Sequence, residues 1–262
     1  MLLLLVLVTG LMGSVQASSA GEIVDRWVAR VRATHERPNC DHYRCRRLTT
    51  IEELNGRGEV VESKTKEHRV EENPLGGQVT LVRQDGREVP AREAREEERR
   101  EKDRRRQYAE RSSARRRGMD QVDEALIRRF QYTLEGVDIV EGRPVHVLRF
   151  QPNPASGGGD SIADRALGRL AGRVWIDREE AELVRIECSL LSPLGVLGGV
   201  VGSLDRMELL MVRQRLPGGT WVNRTLRSSL EGRKVFSRFR ARMRVEQEDF
   251  AELPPVMPSA SP

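Results

Sequence analysis

Within eleven residues of one another stand His35, Cys40, Asp41, His42 and Cys45. Such side chains can hold a zinc ion tetrahedrally, and the two cysteines can instead oxidise to a disulfide. The spacing matches no metal motif. A Cys40–Cys45 disulfide closing a short loop, two free thiols and a metal site all stay open. An oxidising compartment favours the disulfide, and that pairing is the expectation, with no metal. The third cysteine, Cys188, alternates with Val184, Ile186 and Leu190, the pattern of a buried thiol rather than a nucleophile. Hydrolytic chemistry has little to work with. No serine stands in a nucleophile elbow. His146 alternates with Leu148 and Phe150 inside a strand pattern, and His68 lies in a charged strand. The carboxylate pairs at 52–53, 71–72 and 179–180 read as turn or surface residues. The glycines at 157–159 are not followed by the Lys-Ser/Thr of a phosphate loop. No enzyme activity and no cofactor are expected.

These residues sit in a chain of 262 residues with a net charge of +5. Residues 1–8 are almost all Leu and Val, and Val15-x-Ala17 follows. This is the layout of a secretory signal peptide cut near Ala17, so residues 1–17 are expected to be a leader and the body to be exported. No later stretch is apolar and long enough to span a bilayer as a helix. Residues 91–117 hold 12 Lys/Arg and 7 Asp/Glu, which is 12 − 7 = +5, so the rest of the chain is close to neutral. A nucleic-acid reader would usually spread its basic surface over the folded part. Here the excess is one segment without aromatics beyond Tyr108, and nucleic acid is not an expected partner.

Ile23, Val24, Trp27, Val28 and Val31 recur at helical spacing and predict a helix over residues 21–34. From Tyr43 onward the period is two. Strands are predicted around 43–51, 60–70, 79–82, 132–134, 145–150, 173–177, 183–190, 206–216, 221–230 and 235–245. Asn55-Gly56, Asp85-Gly86, Glu141-Gly142, Pro217-Gly218-Gly219 and Glu231-Gly232 mark the turns. Residues 90–117 are rich in Glu, Arg and Ala, good helix formers, and predict a long solvated helix. Val122, Ala125, Leu126 and Phe130 then share a helical face that would dock. A short helix is predicted over 162–170. In the last strand Phe239, Ala241, Met243 and Val245 share one face, while Arg238, Arg240, Arg242 and Arg244 form a ladder on the other. Short turns imply antiparallel pairing, and the tail at 251–262 reads as disordered.

Four segments together resemble a known family. They are Tyr132-x-Leu134-x-Gly136, Glu141-Gly142-Arg143-Pro144-Val145-His146-Val147-Leu148, Gly172-x-Val174-Trp175-Ile176-Asp177 and Val184-x-Ile186-Glu187. They look like the β-rich half of periplasmic LolA-like proteins, a superfamily that includes lipoprotein carriers and RseB-type sensors. The resemblance implies an α+β fold over residues 18–250. It would be a strongly curved antiparallel half-barrel with helices covering the concave side, and the charged helix at 91–117 would be an insertion. It further implies an apolar cavity for a hydrophobic ligand such as an acyl chain or a lipoprotein, in a periplasmic binding protein.

On that expectation Leu148, Phe150, Trp175, Ile176, Phe239 and Met243 are the candidate lining of the cavity. Leu194, Val196, Leu197, Val200 and Val201, set among glycines, form a candidate apolar lip at its mouth, able to touch a membrane peripherally. The alternative is a non-catalytic envelope sensor or scaffold that binds a partner protein through the charged helix.

Overall fold

The structure is a computed structural model. It describes residues 19–36, 43–72, 78–114, 124–156, 161–196, 202–234 and 237–253. The leader, Cys40, Val122, Leu197, Val200, Val201 and the tail beyond residue 253 lie outside the described residues.

Helix α1, Ala20–Glu36, forms where the helical stripe predicts it. Its N-terminus is closed by a reciprocal pair: the Ser19 amide donates to the Glu22 carboxylate, and the Glu22 amide donates to the Ser19 hydroxyl. This is a capping box, which satisfies donors the helix itself leaves open. Strands β1 (Tyr43–Leu54), β2 (Val60–Glu72), β3 (Gln78–Gln84) and β4 (Arg87–Glu88) follow. At the β3–β4 turn Asp85 and Gly86 have φ of 51° and 77°, the left-handed pair that a two-residue hairpin demands.

The charged helix α2 covers Ala91–Ala114, followed by α3, Glu124–Ile127. The strands then resume as β5 (Phe130–Val140), β6 (Arg143–Pro152), β7 (Leu170–Asp177), β8 (Leu183–Leu190), β9 (Leu194–Val196), β10 (Gly202–Arg215), β11 (Trp221–Lys234) and β12 (Ser237–Glu252). Helix α4, Ile162–Leu167, lies between β6 and β7 and is capped by the Ser161 hydroxyl, which accepts from the Asp164 amide. All pairings are antiparallel, in the order β4-β3-β2-β1-β12-β11-β10-β8-β7-β6-β5, with β9 added beside β10. The order does not close on itself, so the sheet is open.

The sheet is also curved. Four strand steps separate β6 from β11, about 19 Å across a flat sheet. Yet Val145 of β6 and Trp221 of β11 share one buried cluster with Trp175 and Val184. Arg224 of β11 also pairs at 2.7 Å with Glu141 in the turn before β6. An open, curved antiparallel sheet with helices against it is the architecture that the resemblance implies.

The main core lies under α1. Ile23, Val24, Trp27 and Val28 pack onto Leu148, Phe150, Val174, Ile176, Leu183 and Cys188, with Ile127 of α3 beside them. Each fully buried apolar side chain of this size stabilises by about 1.5–3 kcal/mol. Trp27 meets Tyr132 edge-on at 6.0 Å, and Phe130 meets Phe150 at 5.0 Å. Ion pairs tie α1 down at the rim of this core: Arg30 to Glu182 at 3.0 Å, and Arg32 to Glu124 at 2.5 Å.

Three local expectations are corrected. Phe130 does not belong to a helical face with Leu126. It opens β5, where Phe130, Tyr132 and Leu134 alternate toward the core. The helix at 162 stops at Leu167 because Gly168 caps it, and Leu170 already begins β7. The charged helix is not wholly solvated. Ala94, Glu97 and Glu98 are half-buried against β3; Glu97 receives Lys66 at 3.0 Å and Glu98 receives Gln78 at 3.0 Å.

Candidate functional site

Register defines two very different faces at the middle of the sheet. On the face that carries α1, Met211, Leu226 and Val245 stand opposite one another across β10, β11 and β12. One row along, Leu209, Ser228, Met243 and Ile51 line up through β1, and beyond them Met207, Leu230 and Ala241. These rows make an apolar field about 14 Å on a side. Helix α1 packs over β5 to β8, and Met207, Leu209 and Met211 only border its core. Helix α2 packs on β3 at the other flank. Among the described residues no long helix packs on β11, β12 or β1; Leu226, Leu230, Met243 and Val245 are half-buried there and Ile51 is exposed.

The opposite face is charged. Arg149, Arg173, Glu187, Leu210, Arg227, Arg244 and Thr50 form one continuous row across seven strands. With the neighbouring row, which brings Glu208, Arg242 and Glu52, they line a groove of about 890 Å³. Arginines face arginines twice: Arg149 opposite Arg173, and Arg227 opposite Arg244. Like charges directly opposite destabilise a sheet, and each pair is held by one shared carboxylate. Glu135 accepts from Arg149 at 2.5 Å and from Arg173 at 2.6 Å, and these two bonds hold its carboxyl below the usual range. Glu246 lies 3.7 Å from Arg227 and 3.9 Å from Arg244. Arg242 has its own partner, Glu52, at 3.1 Å. Of the arginine ladder expected on β12, Arg242 and Arg244 form one wall of a mixed-charge groove, while Arg240 pairs with Glu231 at 3.0 Å. Sequence periodicity put the ladder on one face of β12 but held no signal for the arginines of β6, β7 and β11 beside it.

A second cavity of about 490 Å³ lies where the sheet curls, between the β5–β6 turn and the far ends of β10, β11 and β12; Val184, Trp221 and Phe250 are among its walls. Beside it Arg143 lies 5.6 Å from the Trp221 ring centre and pairs with Asp177 at 2.6 Å.

Of the six residues expected to line one cavity, only Phe150 and Met243 border a common space, the groove. Leu148, Phe150 and Ile176 are fully buried in the core beneath α1. Trp175 belongs to the separate cluster with Val145, Val184 and Trp221. It points away from α1 because it precedes Ile176 on the same strand. Its indole N–H donates to Asp138 at 3.3 Å, and the Arg185 guanidinium lies over its ring. Phe239 and Met243 share the apolar face of β12, and Lys234 covers the Phe239 ring. Of the lip residues, Leu194 is buried in β9, which pairs with the start of β10. Val196 ends that strand. The remaining lip residues and Cys40 lie outside the described residues. Cys45 is buried with Val70 and Val79, its sulfur 3.6 Å from the Gln247 side-chain oxygen. Among the described residues no cluster of three His, Cys, Asp or Glu side chains is placed to hold a metal.

No family model matches the chain, and no curated protein is similar to it in sequence. Solved structures are similar in fold. A DUF1329 family protein from Desulfovibrio piger has a TM-score of 0.38 at 10% identity, over 90% of this chain and 93% of that one. A putative outer membrane lipoprotein-sorting protein domain from Vibrio parahaemolyticus has a TM-score of 0.36 at 10% identity, over 87% and 93%. A LolA superfamily protein from Nitrosomonas europaea has a TM-score of 0.31 at 10% identity, over 91% and 96%.

Proposed function

We propose that this chain is a non-catalytic periplasmic binding protein that holds a hydrophobic ligand, an acyl chain or the lipid of a lipoprotein. The ligand lies on the apolar field of β10, β11, β12 and β1. One observation carries the reading: three apolar rows occupy the middle of the helix-side face, and α1 and α2 pack to either side of them. An acyl chain laid there gains about 0.8 kcal/mol for each CH₂ removed from water. The apolar leader at 1–17 supports export, which would also favour a Cys40–Cys45 disulfide.

Mass spectrometry of the purified protein is expected to show a co-purified acyl lipid, and a fluorescent fatty acid is expected to bind. Leu226→Asp and Met243→Asp should each weaken that binding at least tenfold. Lipid-free protein that takes up no fatty acid would refute the reading.

A second reading has its own observation. The groove on the opposite face is long and lined by paired arginines and glutamates with apolar residues such as Leu210 between them, a surface suited to an extended amphipathic segment of a partner protein. In that scaffold reading α2 adds exposed Arg92, Arg95 and Arg99. Loss of partner capture on deleting residues 91–114, with lipid uptake intact, would favour it.

A further inference from the structure

We propose that the end of the sheet bearing the β1–β2 hairpin and residue 191 is a docking surface for an anionic lipid bilayer. Scattered exposed apolar residues are ordinary on any protein, so their distribution is what matters. Seven large apolar residues are exposed among the described residues: Ile51, Val60, Val61, Val137, Ile139, Ile162 and Leu191. Four of them, Val60, Val61, Ile162 and Leu191, lie at one end of the sheet, and Ile51 belongs to the apolar field. The register shows why, although they are distant in sequence. Met207 stands opposite Leu230, Leu230 opposite Ala241, and Ala241 opposite Glu53. Leu190 falls level with Met207, because Ser189 pairs Glu208. One step further out, Leu191, Arg206, Glu231, Arg240 and the Leu54–Val60 pair therefore share one level across the sheet. Val61 and Leu191 are the most exposed of the four, each at 63%. Ile162 belongs to α4, which packs beside β9 at this end.

Cations surround these side chains. Arg233 and Arg238 face each other at the facing ends of β11 and β12; Arg233 donates to the Ser203 hydroxyl at 3.3 Å and lies 4.0 Å from Asp205. Arg57, Arg206 and Arg238 are exposed and form no ion pair among the described residues. Facing guanidinia without a shared carboxylate are a cost to the fold that a phosphate between them would remove. The opposite end of the molecule is a built-in contrast. There Val137 and Ile139 are also exposed and alternate with Asp138, just as Val60 and Val61 lie between Glu59 and Glu62; the difference is the exposed Arg57, Arg206 and Arg238 at the first end. Apolar tips within a basic rim are what an interfacial surface uses: the side chains enter the headgroup boundary and the cations meet anionic lipid. A neutral or acidic apolar tip lacks the second attraction.

The inference does not rest on the ligand reading, because variants at this rim are expected to retain any bound acyl lipid. Full-length protein would be floated with vesicles containing phosphatidylglycerol and, separately, with pure phosphatidylcholine vesicles. Binding is expected to the first only, and to be lost at high salt. Val61→Asp with Leu191→Asp should weaken it at least tenfold. Arg206→Gln and Arg238→Gln, which leave the apolar tips intact, should each weaken it about fivefold. Val137→Asp with Ile139→Asp should change nothing. The proposal is overturned by no vesicle binding, by equal binding to both lipids, or by arginine variants that bind as well as the parent. It is equally overturned if the rim variants abolish a self-association of the protein while vesicle binding is absent, since the surface would then cover a second copy.

Discussion

Replacing Asp177 tests the most concentrated piece of polar chemistry in the fold. Its side chain is wholly buried at the end of β7. One oxygen accepts from Arg143 Nε at 2.6 Å. The other accepts from Arg143 Nη2 at 3.1 Å and from the backbone amides of Glu179 and Glu180 at 3.0 and 2.8 Å. A single carboxylate thus fixes the β7–β8 turn and anchors the start of β6. Removing one partner of a buried pair costs about 3–5 kcal/mol. Arg143 keeps Glu179 at 3.0 Å as a fallback, so Asp177→Ala is placed at the lower bound, about 3 kcal/mol. Asp177→Asn keeps the acceptor for both amides but sets its NH2 against Arg143 Nε, losing that hydrogen bond with the charge, for about 2 kcal/mol. In a chain of this size those losses lower the melting temperature by about 2–4 °C per kcal/mol.

The pH dependence has a definite sign. Burial pushes the Asp177 carboxyl up, but Arg143 and the two amides outweigh it and hold it below its ordinary value. The ionised group therefore stabilises the fold above the unfolded pKa near 4, and that stability is lost as pH falls through the lower folded value. Asp177→Asn should remove this part of the acid slope. Urea denaturation followed by far-UV circular dichroism reads both effects. A cost below about 1 kcal/mol for Asp177→Ala, or strict additivity of Asp177→Asn with Arg143→Gln, would refute the argument.

Gly172 is expected to be as intolerant for a different reason. A Cβ there would lie 1.9 Å from the Glu187 carbonyl oxygen and 2.8 Å from Cys188 Cα, so Gly172→Ala forces β7 from β8 and should cost about 1–3 kcal/mol or more. Gly56→Ala, with open space at its Cβ, should be nearly neutral in the same melts. His146 is buried with Nδ1 unpartnered, and burial, Arg178 and Arg26 lower its pKa. The unfolded chain then takes up the proton first, so stability should fall as pH drops below about 6.5; His146→Gln should flatten that slope, and an unchanged slope would contradict the assignment. Burial pushes the Cys188 thiol up to about 11, so iodoacetamide at neutral pH should leave it unlabelled until urea is added.

Much of the fold was legible because local chemistry and global position agree. The α1 stripe needed only a period of 3.6 residues. The Asp85-Gly86 turn needed only two residues that tolerate positive φ. Phe130 was misread because residues 126 and 130 are four apart, a spacing that fits one helix face and also one strand face. What separates the two readings is the continuation through Tyr132 and Leu134. The last strand was predicted to stop at Val245, where alternation fails in a run of polar residues. It continues to Glu252 past a bulge at Asp249, whose φ is 56°. A bulge inserts one residue and shifts the face of all that follow, and no simple period survives that.

The candidate site was less legible, and one part of that was avoidable. Trp175 and Ile176 are neighbours in a strand, so they could never line one cavity on one face. The rest depends on register, which turns distant positions into neighbours. Leu209, Met243 and Ile51 fall in one row only because Leu209 faces Ser228, Ser228 faces Met243 and Met243 faces Ile51. The same register sets Arg227 against Arg244 on the reverse side. A strand therefore commits to both faces at once: a slip of one residue in β12 would carry its arginines into the apolar field and Met243 into the groove. The apolar rows and the paired arginines protect that register jointly, since either slip buries a guanidinium without a carboxylate. It follows that Glu246, shared by Arg227 and Arg244, is as much a part of the apolar field's definition as the residues that form it.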